Sequence, residues 1–123
     1  MTYPKAYRGT TAYVRVMAEL IHAAEYGGLT TYQHIALLMA LPTKFSIMAS
    51  KTGKILGEIS EDEVKNDRPM LSAVCVNVEG KPGPGFIAWA RKLGRAGQND
   101  DASTFWERER DAVYVAWKRP LPE

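Results

Sequence analysis

Few residues in this 123-residue chain carry the functional groups of enzyme chemistry. Cys75 is the single cysteine, and His22 and His34 are the only histidines. One cysteine cannot form an internal disulfide, and one cysteine with two histidines gives no zinc ligand set. Cys75 lies in the apolar run Val74–Val78 with no histidine near it in sequence, so it reads as a buried structural thiol. Both histidines fall on amphipathic helical stretches and read as solvated or half-buried side chains rather than as a base. Glu61, Asp62 and Glu63 are consecutive carboxylates, which in a turn face solvent in different directions, and the segment 60–67 reads as a solvated acidic connection. The glycine- and proline-rich stretch Gly80-Lys81-Pro82-Gly83-Pro84-Gly85 lacks the Gly-Lys-Ser/Thr ending of a phosphate loop, and its prolines remove backbone donors. Trp89, Trp106 and Trp117 sit on apolar stripes and read as core rather than as base-stacking platforms. No nucleophile, base and orienting group recur together, so the expectation is a protein that is not an enzyme, with no catalytic residue, no metal and no cofactor.

Charge placement says more. The chain has 16 Lys and Arg against 14 Asp and Glu, a net charge of +2. Residues 43–57 carry Lys44, Lys51 and Lys54 without an acid, and residues 80–98 carry Lys81, Arg91, Lys92 and Arg95 without an acid. These seven cations leave the rest of the chain acidic, so a local positive potential is concealed by the small net charge. A concentrated patch of this kind captures phosphate.

The elements that would position those residues follow from periodicity. Tyr13, Val14, Met17, Leu20, Ile21 and Ala24 recur at helical steps, and Gly27-Gly28 closes this first helix. Thr30 and Gln33 fit a capping box for a second helix over 31–40, which stops before Pro42. Phe45, Met48, Thr52, Ile55, Leu56 and Ile59 mark the buried face of a third helix, with Lys44, Ile47, Ser50, Lys51, Lys54 and Glu58 on its outer side. Gly53 and Gly57 mark close packing or a break in it. The β-branched run 70–78 predicts a strand, followed by a glycine turn and a short returning strand near 85–87. Phe86, Trp89, Ala90 and Leu93 repeat at helical spacing up to Gly94. Thr104 and Glu107 predict the cap of a last helix, with Phe105, Trp106, Ala112, Val113, Ala116 and Trp117 inward.

The order helix, helix, helix, strand, glycine turn, helices outlines an α+β, mostly helical, winged helix-turn-helix-like single domain with a small β-hairpin. In that outline residues 1–10 form an N-terminal arm and 11–119 the domain. The third helix enters the DNA major groove, and the hairpin touches the neighbouring backbone. Lys44, Lys51 and Lys54, with Ser50, would then contact phosphates and base edges, while Lys81, Arg91, Lys92 and Arg95 hold the backbone.

Thr31-Tyr32-Gln33-His34-Ile35-Ala36 resembles the Tyr-x-x-Ile-Ala helix of the DNA-binding domain of alkylguanine-DNA alkyltransferases and alkyltransferase-like proteins. Gly53 with Leu56 resembles the Val-Gly-x-x-Leu portion of that family's recognition helix, and Gly83-Pro84-Gly85-Phe86 its Gly-Gly-Phe/Tyr turn. The resemblance covers residues 11–93 and implies a winged helix that binds DNA. The family's Pro-Cys-His-Arg segment falls on Pro69-Met70-Leu71-Ser72, where only the proline remains, and its arginine finger falls near the uncharged Ser50. Methyl transfer to the protein is therefore not implied. Residues 68–74, with 82–86 and Phe105-Trp106-Glu107, also resemble small bacterial and phage-borne proteins, a likeness that carries no activity.

Composition fits this outline: 46% hydrophobic and 24% charged residues are those of an ordinary globular domain, long enough for one core. The longest apolar run, 35–41, is far below the ~18 residues of a membrane span, and the N-terminal residues lack the apolar stretch of a secretory signal. The expectation is a cytoplasmic, non-enzymatic nucleic-acid-binding protein with duplex DNA as its partner and no membrane partner. The alternative is a protein-interaction module or regulator of bacterial or phage origin, with Ile47 and the acidic 58–67 segment as its surface.

Overall fold

Thr10 stops the incoming chain in an extended conformation and its hydroxyl accepts from the Tyr13 N–H, which starts helix α1 (Thr11–Glu25). The computed structural model of the chain describes residues 7–41 and 45–119, and for 45–47 the backbone only. Helix α1 buries Val16, Leu20, Ala23 and Ala24 and leaves Val14 exposed, so its core stripe is rotated slightly from the one read in the sequence. Gly27 at φ 67° ends it, with the Gly28 N–H bonded back to the Ala23 carbonyl at 2.8 Å.

Thr30 and Thr31 form a two-residue strand, β1, before helix α2 (Tyr32–Leu38). Thr31, rather than Thr30, is the cap, accepting from the His34 N–H at 3.1 Å. The Thr30 hydroxyl instead donates to Glu19. Helix α3 (Phe45–Lys65) is continuous through Gly53 and Gly57 and runs well past Ile59. Its face Thr52, Ile55, Leu56 and Ile59 is buried and Ser50, Lys51 and Lys54 are exposed, as the spacing predicts, but Glu58, expected on the outer side, is fully buried, because the Tyr7 N–H and Arg8 meet its carboxylate. Lys44 lies outside the described residues, as do the side chains of Phe45 and Ile47.

The segment read as a strand over 70–78 is mostly something else. Leu71–Val74 is one buried 3₁₀ turn, and only Cys75–Val76 is extended, as β2. The physical reason is where its backbone donors go. Met70 N–H donates to the Glu109 carboxylate at 3.0 Å, Ser72 N–H to the Ser60 hydroxyl and Ala73 N–H to the Met70 carbonyl, so no partner strand is required along most of the run. Strand β2 pairs with β1 in parallel, Thr30 opposite Cys75 and Thr31 opposite Val76. This parallel pair replaces the expected hairpin, and the segment near 85–87 begins helix α4 (Phe86–Lys92) instead of a returning strand. Between them Asn77 organises a tight turn, its side-chain oxygen accepting from the Glu79 and Lys81 N–H groups. Helix α5 (Ala102–Trp117) is capped by Asp101, which accepts from both the N–H and hydroxyl of Thr104, so Thr104 is the residue being capped.

The result is a small, mostly helical α+β unit with a two-residue parallel sheet. One core joins α1, α2, α3, the 3₁₀ turn, β2 and α5. A second, around Met70, Trp89, Ala90, Ala96 and Phe105, packs α4 against α5. Trp89 and Trp106 are buried, their indole N–H groups bonded to the Gly57 and Ala73 carbonyls. Ile21 and Trp117 are only half-buried. No helix among the described residues is long and apolar enough to cross a membrane. Leu20 is fully buried in the first core, and Leu20→Ala is expected to lower unfolding free energy by about 2–5 kcal/mol, read from urea melts.

Candidate functional site

The acidic residues are the first surprise. Residues 60–65 continue α3, and the carboxylates of Glu58, Glu61 and Glu63 are buried, which corrects the reading of this stretch as solvated. Folding makes this tolerable by placing an arginine against each. Arg8 donates from Nε to Asp62 at 3.1 Å and from its terminal nitrogens to Glu61 and the Glu58 carbonyl, while the Tyr7 N–H donates to the Glu58 carboxylate at 2.8 Å. Arg68 grips Glu63 through two bonds of 2.8 Å, and Arg95 grips Glu109 at 2.7 and 2.8 Å. Residues 7–10 are therefore fastened to α3, whereas Tyr3 and Lys5 of the expected arm lie outside the described residues.

Burial pushes the Asp62 carboxyl up, but the hydrogen bonds from Arg8 and Tyr13 and the Arg8 charge outweigh it and hold Asp62 below the usual carboxylate range. The hydrogen bond to Asp62 is in turn the largest influence raising the Arg8 guanidinium.

The expected site residues then separate into two groups. Lys51, Lys54, Lys81 and Lys92 are exposed and belong to no ion pair among the described residues, and Ser50 is exposed beside them on α3. Arg91 and Arg95 are engaged elsewhere. Arg91 donates to the Gly97 and Asp100 carbonyls, tying down the loop after α4. Arg95 is neutralised by Glu109, so its guanidinium holds the protein together instead of presenting free charge.

The two acid-free segments face each other across a cleft of about 500 Å³. Met48, Thr52, Gly53 and Leu56 supply one wall from α3, and Gly83, Phe86 and Trp89 supply the other from the turn and α4. Met70 and Ser72, from the segment entering the 3₁₀ turn, and Tyr32 of α2 also line it. Lys51 and Lys54 sit on the helical turn that forms this wall. Lys81 lines a more open groove on the far side of the same loop, with Ser103 and Glu107. Burial pushes the Tyr32 phenol up to about 12, so the group is a neutral O–H at physiological pH.

Cys75, His22 and His34 are not among the residues lining the cleft. Burial pushes the Cys75 thiol up, the wrong direction for a thiolate. His22 stacks at a tilt on Tyr26, and His34 Nε2 lies 3.3 Å from the Glu19 carboxylate. No group of three or more metal-ligating side chains suited to an ion occurs among the described residues. The sequence reading missed Ser72 and Tyr32 as cleft residues. Tyr32 was visible only as part of a helix motif, and Ser72 as a small residue in an apolar run. No family model matches the chain, and neither the curated proteins nor the solved structures contain a match.

Two outcomes test the ion-pair assignments. Glu109→Ala leaves Arg95 and the Met70 N–H without their acceptor and is expected to cost about 3 kcal/mol in urea unfolding. Because the Asp62 pKa is depressed by folding, its stabilisation is present above the unfolded carboxylate value, about 4, and is lost as pH falls through the lower folded value. Arg8→Gln is expected to flatten the acid limb of stability against pH, measured as the urea midpoint from pH 7 down to pH 3.

Proposed function

We propose that the chain is a non-enzymatic nucleic-acid-binding protein, with duplex DNA as its target. The observation that carries this reading is the meeting of the two acid-free segments across one cleft, with Lys51 and Lys54 exposed on the turn of α3 beside its lining residues and in no ion pair among the described residues. The buried ion pairs reinforce it. They take Glu58, Glu61 and Glu63 off the surface of the C-terminal half of α3 and pair the half-buried Asp62 with Arg8, so the acids of that helix do little to cancel the field of its lysines. In this reading α2 and α3 act as a helix-turn-helix with α3 as the recognition helix, and the turn over 77–85 takes the place of a wing. Lys51, Lys54, Lys81 and Lys92 contact phosphates, with Ser50 as a hydrogen-bond donor.

The protein-interaction alternative loses most of its basis, because Glu58, Glu61 and Glu63 are consumed inside the fold. Arg91 and Arg95 are likewise occupied, which reduces the phosphate contacts to about four. The logarithm of affinity for a duplex of about 20 base pairs is then expected to fall with the logarithm of salt at a slope of about −3 to −4. The double variant Lys51→Glu with Lys54→Glu is expected to weaken binding more than tenfold at low salt and to flatten that slope, by fluorescence anisotropy. An unchanged affinity rejects the recognition-helix assignment.

A further inference from the structure

We infer that the cleft between α3 and α4 is a reversible binding site for a neutral, flat molecule that accepts hydrogen bonds from Ser72 and Tyr32. The inference rests on where protons can go. Ser60 is fully buried, and its hydroxyl accepts from the Ser72 N–H at 3.3 Å and donates to Ser72 Oγ at 2.7 Å. Ser72 Oγ is therefore already an acceptor, and its own proton has no acceptor among the described residues. Ser72 is 8% exposed and is one of the residues lining the cleft.

Tyr32 repeats the pattern from the opposite side. Its phenol oxygen accepts from the Gly83 N–H at 2.6 Å, and its proton too has no acceptor among the described residues. A side chain at Gly83 would place its first carbon 2.7 Å from that oxygen, so glycine is what lets the turn close onto Tyr32. At the mouth, the Asn77 side-chain oxygen is consumed by two N–H groups of its own turn, which leaves the amide N–H groups as further donors. The Thr52 hydroxyl donates within α3 to the Met48 carbonyl and adds no donor.

Apart from the exposed Glu79 carboxylate, the lining side chains that keep a spare hydrogen among the described residues, Ser72, Tyr32 and Asn77, are donors set in an otherwise apolar wall. A partner that satisfies them carries carbonyl or ring-nitrogen acceptors on a hydrophobic body. Among the described lining residues Glu79 is the one that is charged, which disfavours an anion, and no described cation lines the cleft to hold one. Met48, Leu56, Met70, Phe86 and Trp89 give the lining its apolar character, which suits the hydrophobic body of a fused ring. Two sources offer this chemistry, a free heteroaromatic compound and a base carried on a nucleic-acid strand.

The test uses the full chain and three bicyclic probes: quinazolin-4-one, which is neutral with acceptors, indole, which is a donor only, and 1-naphthoate, which is anionic. Binding is followed by NMR at the Gly83 amide and the Trp89 indole N–H. The expected result is saturable binding of quinazolin-4-one at least tenfold tighter than either other probe. Ser72→Ala and Tyr32→Phe are each expected to bring it within about threefold of indole, with the melting temperature checking that each variant folds. Absence of saturable shifts at Gly83 and Trp89, or equal or tighter binding of indole or 1-naphthoate to the wild-type chain, overturns the inference whatever the variants do. Competition by a twelve-residue oligothymidylate identifies the source: displacement of quinazolin-4-one supports a strand-borne base, and retention supports a free compound. These probes carry no phosphate, so failure here is distinguishable from failure of the lysine surface.

Discussion

Glu58, Glu61, Glu63 and Glu109 lose nearly all of their water on folding, and the chain can close only if cations and backbone donors replace it. Desolvating a carboxylate costs several kcal/mol, and the return depends on geometry and on satisfying the remaining lone pairs. Arg8, Arg68 and Arg95 supply that geometry from three distant places in the chain, two of them through paired bonds. The Glu109 carboxylate does double duty, accepting from Arg95 and from the Met70 N–H at the entrance to the 3₁₀ turn. The shape of the 70–76 segment follows from this constraint, because side chains satisfy donors that a sheet would otherwise need to pair.

The same constraint sorts the charge. One end of α3 carries acids that are folded inward and neutralised, and the other carries Lys51 and Lys54 pointing into solvent. A helix with two chemically different halves results, and its basic half borders the cleft. The exposed lysines and the cleft are therefore two consequences of how one helix is seated. Seating it also brings Trp89 onto the Gly57 carbonyl and Ser60 onto Ser72, and Gly57, Ser72 and Trp89 line the cleft.

Helical periodicity was legible wherever apolar residues alone set the buried face. Thr52, Ile55, Leu56 and Ile59 are inward and Ser50, Lys51 and Lys54 outward, as spacing requires. Gly27, with its left-handed backbone, ended α1 where expected. Reading failed where a polar residue occupied a core position. Glu58 and Glu63 fall on the α3 surface that the fold buries, yet their type argues for solvent, and their partners Arg8 and Arg68 become visible only in three dimensions. The strand over 70–78 failed for a related reason, since β-branched composition cannot report that Glu109 and Ser60 take its backbone donors. Caps were displaced by one to three residues, Thr31 for Thr30 and Asp101 for Thr104, because two adjacent candidates compete and tertiary contacts choose between them. Within the site, the lysines were legible from charge alone. Arg91 and Arg95 were not separable from them, because a bond to a carbonyl or carboxylate leaves no trace in local sequence.

The central claim is that folding buries glutamates of α3 and leaves Lys51 and Lys54 exposed beside the cleft, where we propose that they meet nucleic acid. Amide chemical-shift mapping of the full chain with a short duplex DNA at low salt tests it most directly. The account predicts saturable shifts concentrated at 50–54, Lys81 and Lys92, reversed by added salt, with Glu63, Arg68 and Glu109 unmoved. Shifts confined to the exposed faces of α1 and α5, or no salt-sensitive shifts at all, would contradict it.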